Sequence, residues 1–187
     1  MNLFTVQLRS VRDEILGFPV VRSVSVERKL PDTLTIRIIE RIPLARLSVD
    51  GMAVYLAVDR DGVVLGPTSA APHLPVIDAS RSGTLRPGGI VDRSEVIDAI
   101  RLLDVCDTTR LGQLVRIQKI HLQDEDRMIL DLATGDRVIF PREQMDVKLR
   151  RLASLLKAMQ ERRMRDPGRP VQIDMMPEAN FPVSGLG

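Results

Sequence analysis

The stretch Phe18–Pro19–Val20–Val21–Arg22–Ser23–Val24–Ser25–Val26–Glu27–Arg28–Lys29–Leu30–Pro31–Asp32–Thr33–Leu34–Thr35–Ile36–Arg37–Ile38 holds two alternating runs separated by a turn signal. In the first run Val24 and Val26 fall on one side. In the second, Leu34, Ile36 and Ile38 do the same, at the period of two that marks a half-buried strand. Between the runs Pro31 presets φ and Asp32 can bond its own backbone, the chemistry of a tight turn. Upstream, residues 6–18 read as a short helix. Val6, Val11, Ile15 and Leu16 share a face there, and Gly17 and Pro19 mark its end. The first unit is therefore helix, strand, hairpin turn, strand.

A second region starts near Ser48–Val49–Asp50–Gly51. Residues 52–58 and 63–65 read as strands joined by Asp59–Arg60–Asp61–Gly62, in which Asp-Gly is a strong hairpin signal. Residues 66–89, rich in Pro, Ser and Gly, read as an irregular surface connection. Ser94 is placed to cap a helix over residues 95–104 that buries Val96, Ile97, Ile100 and Leu103. Residues 115–122, 128–133 and 137–140 follow as strands, turned by Asp124–Glu125–Asp126 and Thr134–Gly135–Asp136. The spacing then predicts a long helix over 143–164. Met145, Leu149, Leu152, Leu156 and Met159 form its apolar stripe, and Lys148, Arg150, Arg151, Lys157 and Arg162 lie off it. Asp166–Pro167–Gly168 stops that helix, and Val171–Gln172–Ile173–Asp174–Met175 alternates as a last strand, which Phe181–Pro182–Val183 extends. The expected class is α+β: a helix-plus-hairpin unit over residues 1–48, then, over 49–187, a larger antiparallel sheet packed with two helices.

Composition narrows the chemistry. The chain has 187 residues, 44% hydrophobic and 28% charged, enough to bury a substantial core. One cysteine excludes an internal disulfide, and with only His73 and His121 beside it a zinc site of Cys and His is disfavoured. A net charge of +2, 3% aromatics and no Trp argue against a nucleic-acid surface, although the pI is 9.0. Of the 27 basic residues only Lys29, Lys119, Lys148 and Lys157 are lysines, a bias towards arginine that marks no site. Cys106, His73 and His121 show no spacing that assembles a nucleophile and base. Asp124–Glu125–Asp126 lacks the glycine and later glutamate of a calcium loop, and Pro87–Gly88–Gly89 lacks the ending of a phosphate loop. The expected cofactor and metal content is none, and the expected catalytic residue set is empty. No run approaches the roughly 18 apolar residues of a spanning helix, and residues 1–10 lack a signal-peptide layout.

Specificity lies in motif order. Asn2–Leu3–Phe4, then Pro19–Val20–Val21, Val26–Glu27–Arg28, Leu30–Pro31–Asp32–Thr33–Leu34–Thr35–Ile36 and Glu40–Arg41–Ile42–Pro43–Leu44–Ala45 resemble the POTRA domain of the FtsQ/DivIB family of bacterial cell-division proteins. Weaker matches follow in order: Val58–Asp59–Arg60–Asp61–Gly62–Val63–Val64, Leu74–Pro75–Val76–Ile77, Gly135–Asp136–Arg137–Val138, Lys148–Leu149 and Ile173–Asp174–Met175. Met176–Pro177–Glu178 departs from the pattern, where the family more often has an Arg and an aromatic residue.

The resemblance implies a non-enzymatic divisome scaffold that links early and late division proteins and binds FtsB/FtsL-type coiled-coil partners during septum formation. It implies strand addition at an exposed edge, with Val171, Gln172, Ile173, Asp174, Met175, Met176, Phe181 and Val183 as the partner-binding residues. Val24 to Arg28 is a lesser candidate surface. The resemblance also implies a single-pass protein of the cell inner membrane with this region extracytoplasmic. On that reading a membrane anchor and the POTRA domain's first strand and helix precede this chain, and neither nucleic acid nor any other membrane contact is involved. The alternative is a POTRA-type module for outer-membrane protein assembly or polypeptide transport, which calls for repeated units and a downstream barrel absent from this sequence. A cytoplasmic enzyme is a further rival that lacks a cluster of titratable groups.

Overall fold

The alternation around Pro31 folds as a hairpin. In the computed structural model, which describes residues 7–69, 71–80, 85–109, 111–122, 125–163, 169–177 and 181–186, β1 (Val21–Lys29) pairs antiparallel with β2 (Thr33–Glu40). The register sets Val24 against Ile38, Val26 against Ile36 and Arg28 against Leu34, so the expected apolar residues do share one face. Helix α1 (Leu8–Leu16) packs on β1 and ends where the Gly17 N–H donates to the carbonyls of Asp13 and Glu14. Val24 is buried, while Ile36 and Ile38 on the β2 side stay exposed. The Asn2–Leu3–Phe4 segment, Asp124 and the helix stop at Asp166–Pro167–Gly168 lie outside the described residues.

The rest of the chain supplies β3 (Pro43–Ser48), β4 (Tyr55–Asp59), β5 (Val64–Thr68), β6 (Val76–Asp78), α2 (Ser94–Thr108), the single turn α3 (Leu111–Leu114), β7 (Ile117–His121), β8 (Arg127–Leu132), β9 (Arg137–Pro141), α4 (Met145–Arg163), β10 (Val171–Asp174) and β11 (Val183–Gly185). These strands form one nine-stranded sheet in the order β11-β10-β9-β8-β7-β6-β3-β4-β5. By strand pairing, the change from the small sheet to the large one falls between Glu40 and Pro43, because β3 bonds to β4 and β6.

The α+β class stands, but the large sheet is mixed where a purely antiparallel one was expected. The β3–β6, β6–β7 and β9–β10 pairs are parallel. The reason is connectivity. A parallel neighbour cannot be reached by a tight turn, and α2–α3 and α4 are the crossovers that make the β6–β7 and β9–β10 pairs possible.

Strand β6 lies inside the stretch read as an irregular connection. It is three residues long and yet central, with Val76 8% and Ile77 0% exposed. The core lies on the helix side of the sheet. Leu47, Ile77, Ile120, Leu130, Phe140 and Ile173 meet Val96, Ile100 and Leu103 of α2 and Leu149, Leu152 and Leu156 of α4. Strand β8 shows why one face suffices: Met128, Leu130 and Leu132 are buried and the residues between them are not.

Two helix details differ from expectation. Ser94 is the first residue of α2, whose N-cap is Arg93 with no side-chain cap bond, and Ile97 is 45% exposed. Gly62 and Gly135 supply the left-handed φ that the β4–β5 and β8–β9 turns need, as the Asp-Gly and Thr-Gly-Asp signals implied.

Candidate functional site

The C-terminal end of the large sheet is built by β9, α4, β10 and β11. The chain leaves β9, crosses in α4, and returns as β10 parallel to β9, with Ile173 opposite Val138. The β10 entry is fixed by Asp136, whose buried carboxylate accepts from the Thr134 hydroxyl at 2.6 Å and from the Val171 N–H at 2.9 Å. Ile173 and Met175 point at the core and are fully buried. Gln172 and Asp174 alternate to the other face, and the Asp174 carboxylate accepts from the Met176 N–H at 2.9 Å.

The residues expected to form the open edge therefore split. Val171 to Asp174 are one strand in from the edge, because β11 pairs antiparallel on their outer side, with Gln172 opposite Ser184 and Ile173 opposite Val183. Val183 to Gly185 run antiparallel along β10 and add a strand, which the alternation of residues 171–175 alone does not reveal. Among the described residues β11 is the outermost strand on this side of the sheet. The Asp174 N–H donates to the Pro182 carbonyl and the Leu186 N–H to the Pro170 carbonyl. Antiparallel alternation then directs the N–H and C=O groups of Val183 and Gly185 away from β10. All three β11 residues are exposed, and Val183 presents an apolar side chain at 48% exposure. Phe181 packs part-buried against the core just ahead of β11, and Met176 is half-buried beyond the end of β10.

The opposite edge is closed by contrast. Strand β5 contains Pro67, which has no N–H to offer, and the loop from Gly88 to Val91, where Ile90 lies opposite Val63, already bonds to Gly62 and Val64.

A residue that sequence reasoning placed with the solvated ones is central here. Lys148 is 4% exposed, and its ammonium donates to the carbonyls of Met175 at 2.8 Å, Met176 at 3.3 Å and Pro177 at 2.5 Å. The Phe181 ring lies over the same nitrogen, 5.3 Å to its centroid. The signal was present: position 148 is three residues after Met145 and four before Leu152, inside the apolar stripe rather than beside it.

Other candidate chemistry is dispersed. The thiol of Cys106 is buried, which pushes its pKa up to about 11 and keeps it protonated. His73 and Cys106 line one open cleft of about 400 Å³. His121 bonds to Asp131 at 2.8 Å, and Asp131 also accepts from Arg137 at 2.8 Å, a row across β7, β8 and β9. The carboxyl of Asp131 is held below its usual range: part-burial opposes the shift, and the bonds from Arg137 and His121 outweigh it. Among the described residues no group of three or more His, Cys, Asp or Glu side chains is placed to hold a metal ion, and no helix is long and apolar enough to cross a membrane.

Comparison with known proteins bears on these elements directly. The model of "Cell division protein FtsQ/DivIB, C-terminal" matches residues 49–175, and that of "POTRA domain, FtsQ-type" matches residues 1–41. The chain belongs to the FtsQ/DivIB family of cell-division proteins. The cell division protein FtsQ of Syntrophotalea carbinolica is 30% identical over 164 residues, covering 86% of this chain and 57% of that protein. FtsQ of Thioalkalivibrio sp. is 28% identical over 90% of this chain and 62% of its own length. DivIB of Clostridium acetobutylicum is 27% identical over 70% and 47% respectively. The chain thus spans about half the length of these curated relatives. The extracytoplasmic domain of the trans isomer of DivIB from Geobacillus stearothermophilus aligns with TM-score 0.42 and 17% identity, over 66% of this chain and 97% of that one. The FtsQ/DivIB C-terminal match begins just after β3 and ends just after β10, so β11 lies beyond the matched segment.

Proposed function

We propose that this FtsQ/DivIB chain is a non-enzymatic scaffold of the division complex that binds FtsB/FtsL-type coiled-coil partners by strand addition to β11. On this reading the hairpin unit and the large-sheet unit are extracytoplasmic parts of a protein anchored once in the inner membrane. The observation that carries the proposal is the asymmetry of the nine-stranded sheet. The β5 edge is closed by Pro67 and the loop at Gly88 to Ile90, while β11 directs the backbone groups of Val183 and Gly185 outward. An edge of that kind pairs with an extended segment through main-chain bonds and takes specificity from flanking side chains, here Phe181, Met176 and Val183. Val171, Gln172, Ile173, Asp174 and Met175 support the edge from behind.

The test is Val183→Pro, which removes one outward donor and leaves the ladder to β10 intact, since β11 uses the groups of Ser184 for that ladder. Titration calorimetry with a coiled-coil division partner should show the affinity reduced at least tenfold, the loss of about one well-formed hydrogen bond plus its strand geometry. Wild-type affinity in the folded variant would overturn docking at β11.

A further inference from the structure

The scaffold reading leaves one buried charge unexplained. Lysine is among the residues least often fully buried, and burying an ammonium is costly unless its three N–H donors are met. Lys148 is 4% exposed, and the carbonyls of Met175, Met176 and Pro177 supply three acceptors. Those acceptors do not belong to the helix that carries Lys148 or to the strand ladder of β10. They lie where the chain leaves β10, and the Phe181 ring over the same nitrogen belongs to the segment that enters β11.

Strand β11 needs such a fixture. It is three residues long with every side chain exposed, so burial contributes almost nothing to its attachment. What holds it is the ladder to β10, including the bonds Asp174 N–H to Pro182 and Leu186 N–H to Pro170, together with Phe181 on the core. Short edge strands with few buried contacts open at low free energy. A charge-assisted bond is roughly twice as strong as a neutral one, and three of them meet at a single nitrogen here.

We infer that Lys148 is a positioning residue, whose ammonium clamps the exit of β10 and the entry of β11 and so holds the docking edge in register. The inference rests on the reading of β11 as that edge. It goes further in assigning the edge's order to a buried side chain on α4. A partner strand then finds β11 already formed and does not have to order it on arrival.

The experiment is amide hydrogen exchange on the whole chain with Lys148→Met, which keeps an apolar stem of similar length, and with Phe181→Leu, which removes the ring and leaves the carbonyl bonds. In Lys148→Met the amides of Asp174 and Leu186 should exchange about tenfold faster or more, while those of Leu130 and Val138 in the sheet centre keep their protection. Phe181→Leu should give a smaller acceleration confined to the same amides. Unchanged exchange at Asp174 and Leu186, or acceleration spread equally over β8 and β9, would overturn the clamp and leave Lys148 without a role specific to the edge. Partner affinity measured in parallel separates the two ideas. If β11 loosens and affinity is unaltered, the clamp stands and β11 is not the docking edge.

Discussion

The guanidinium of Arg41 donates to the carboxylate of Asp59 at 2.6 Å, joining the chain just after the small hairpin to the last residue of β4 in the large sheet. Asp59 is almost fully buried, and it also accepts from the N–H groups of Asp61 and Val63, forming the β4–β5 turn. Arg41 reaches Asp61 as well, at 3.0 Å, and Arg22 of β1 reaches Asp61 at 3.4 Å. The junction is thus tied by charge, with the bond to Asp59 chiefly responsible for raising the Arg41 pKa.

Arg41→Met should therefore destabilise the chain by about 2 kcal/mol, the cost of removing a charge-assisted bond from a carboxylate that keeps its two backbone donors. Asp59→Asn, which retains the turn bonds, should cost a similar amount. The double variant should cost clearly less than the sum, because the two positions share one interaction. Urea unfolding of the four proteins measures all three quantities, and strict additivity would show that the pair does not couple the two units.

Local chemistry made the first unit readable. The two alternating runs, the Pro31 turn and the Gly17 helix stop each dictate one conformation, and they form α1, β1 and β2 within a few residues of expectation. Strand β6 escaped because three residues in a Pro- and Ser-rich stretch show no period. Only their position between β3 and β7 makes Ile77 fully buried. The parallel pairings were implied by helices lying between strands, but which strands become neighbours is a tertiary fact. Lys148 escaped for a different reason. A lysine on an amphipathic helix reads as solvated until the carbonyls of Met175, Met176 and Pro177, almost thirty residues later, are seen to meet it. The sheet edge lies one strand beyond Val171 to Asp174 because β11 is held by backbone bonds, which leave no side-chain pattern.

Acid stability should depend on Glu95. The Arg93 guanidinium donates to its carboxylate at 2.6 Å, and this bond, helped by the residue's own N–H and its place in the first turn of α2, lowers its pKa from 4.5 to about 2. The folded state therefore binds the Glu95 proton less readily than the unfolded chain. The stabilisation is fully present above about pH 4.5 and is lost as the pH falls towards 2. Glu95→Gln should lower the urea midpoint at pH 7 and flatten its decline between pH 4.5 and 2. A variant whose midpoint runs parallel to the wild type across that window would show that the Arg93 pairing adds nothing to folding.

Neighbouring positions on β11 should respond in opposite ways. The Ser184 backbone faces β10 opposite Gln172, so Ser184→Pro removes a donor from a ladder of only three paired residues. Exchange at Leu186 should accelerate and partner binding should fall with it, because the edge itself is lost. Gly185 has no atom within 4 Å of where a Cβ would stand, and its φ lies outside the left-handed region, so Gly185→Val meets no clash. Valine favours extended backbone, and the isolated chain should keep its stability to within about 0.5 kcal/mol. Its partner affinity should nonetheless change, since the added side chain stands beside the backbone groups that face outward. Stability unchanged and affinity altered in Gly185→Val, with both lost at the edge in Ser184→Pro, is the pattern that strand addition requires. Identical affinity for Gly185→Val and wild type would place the partner elsewhere on the protein.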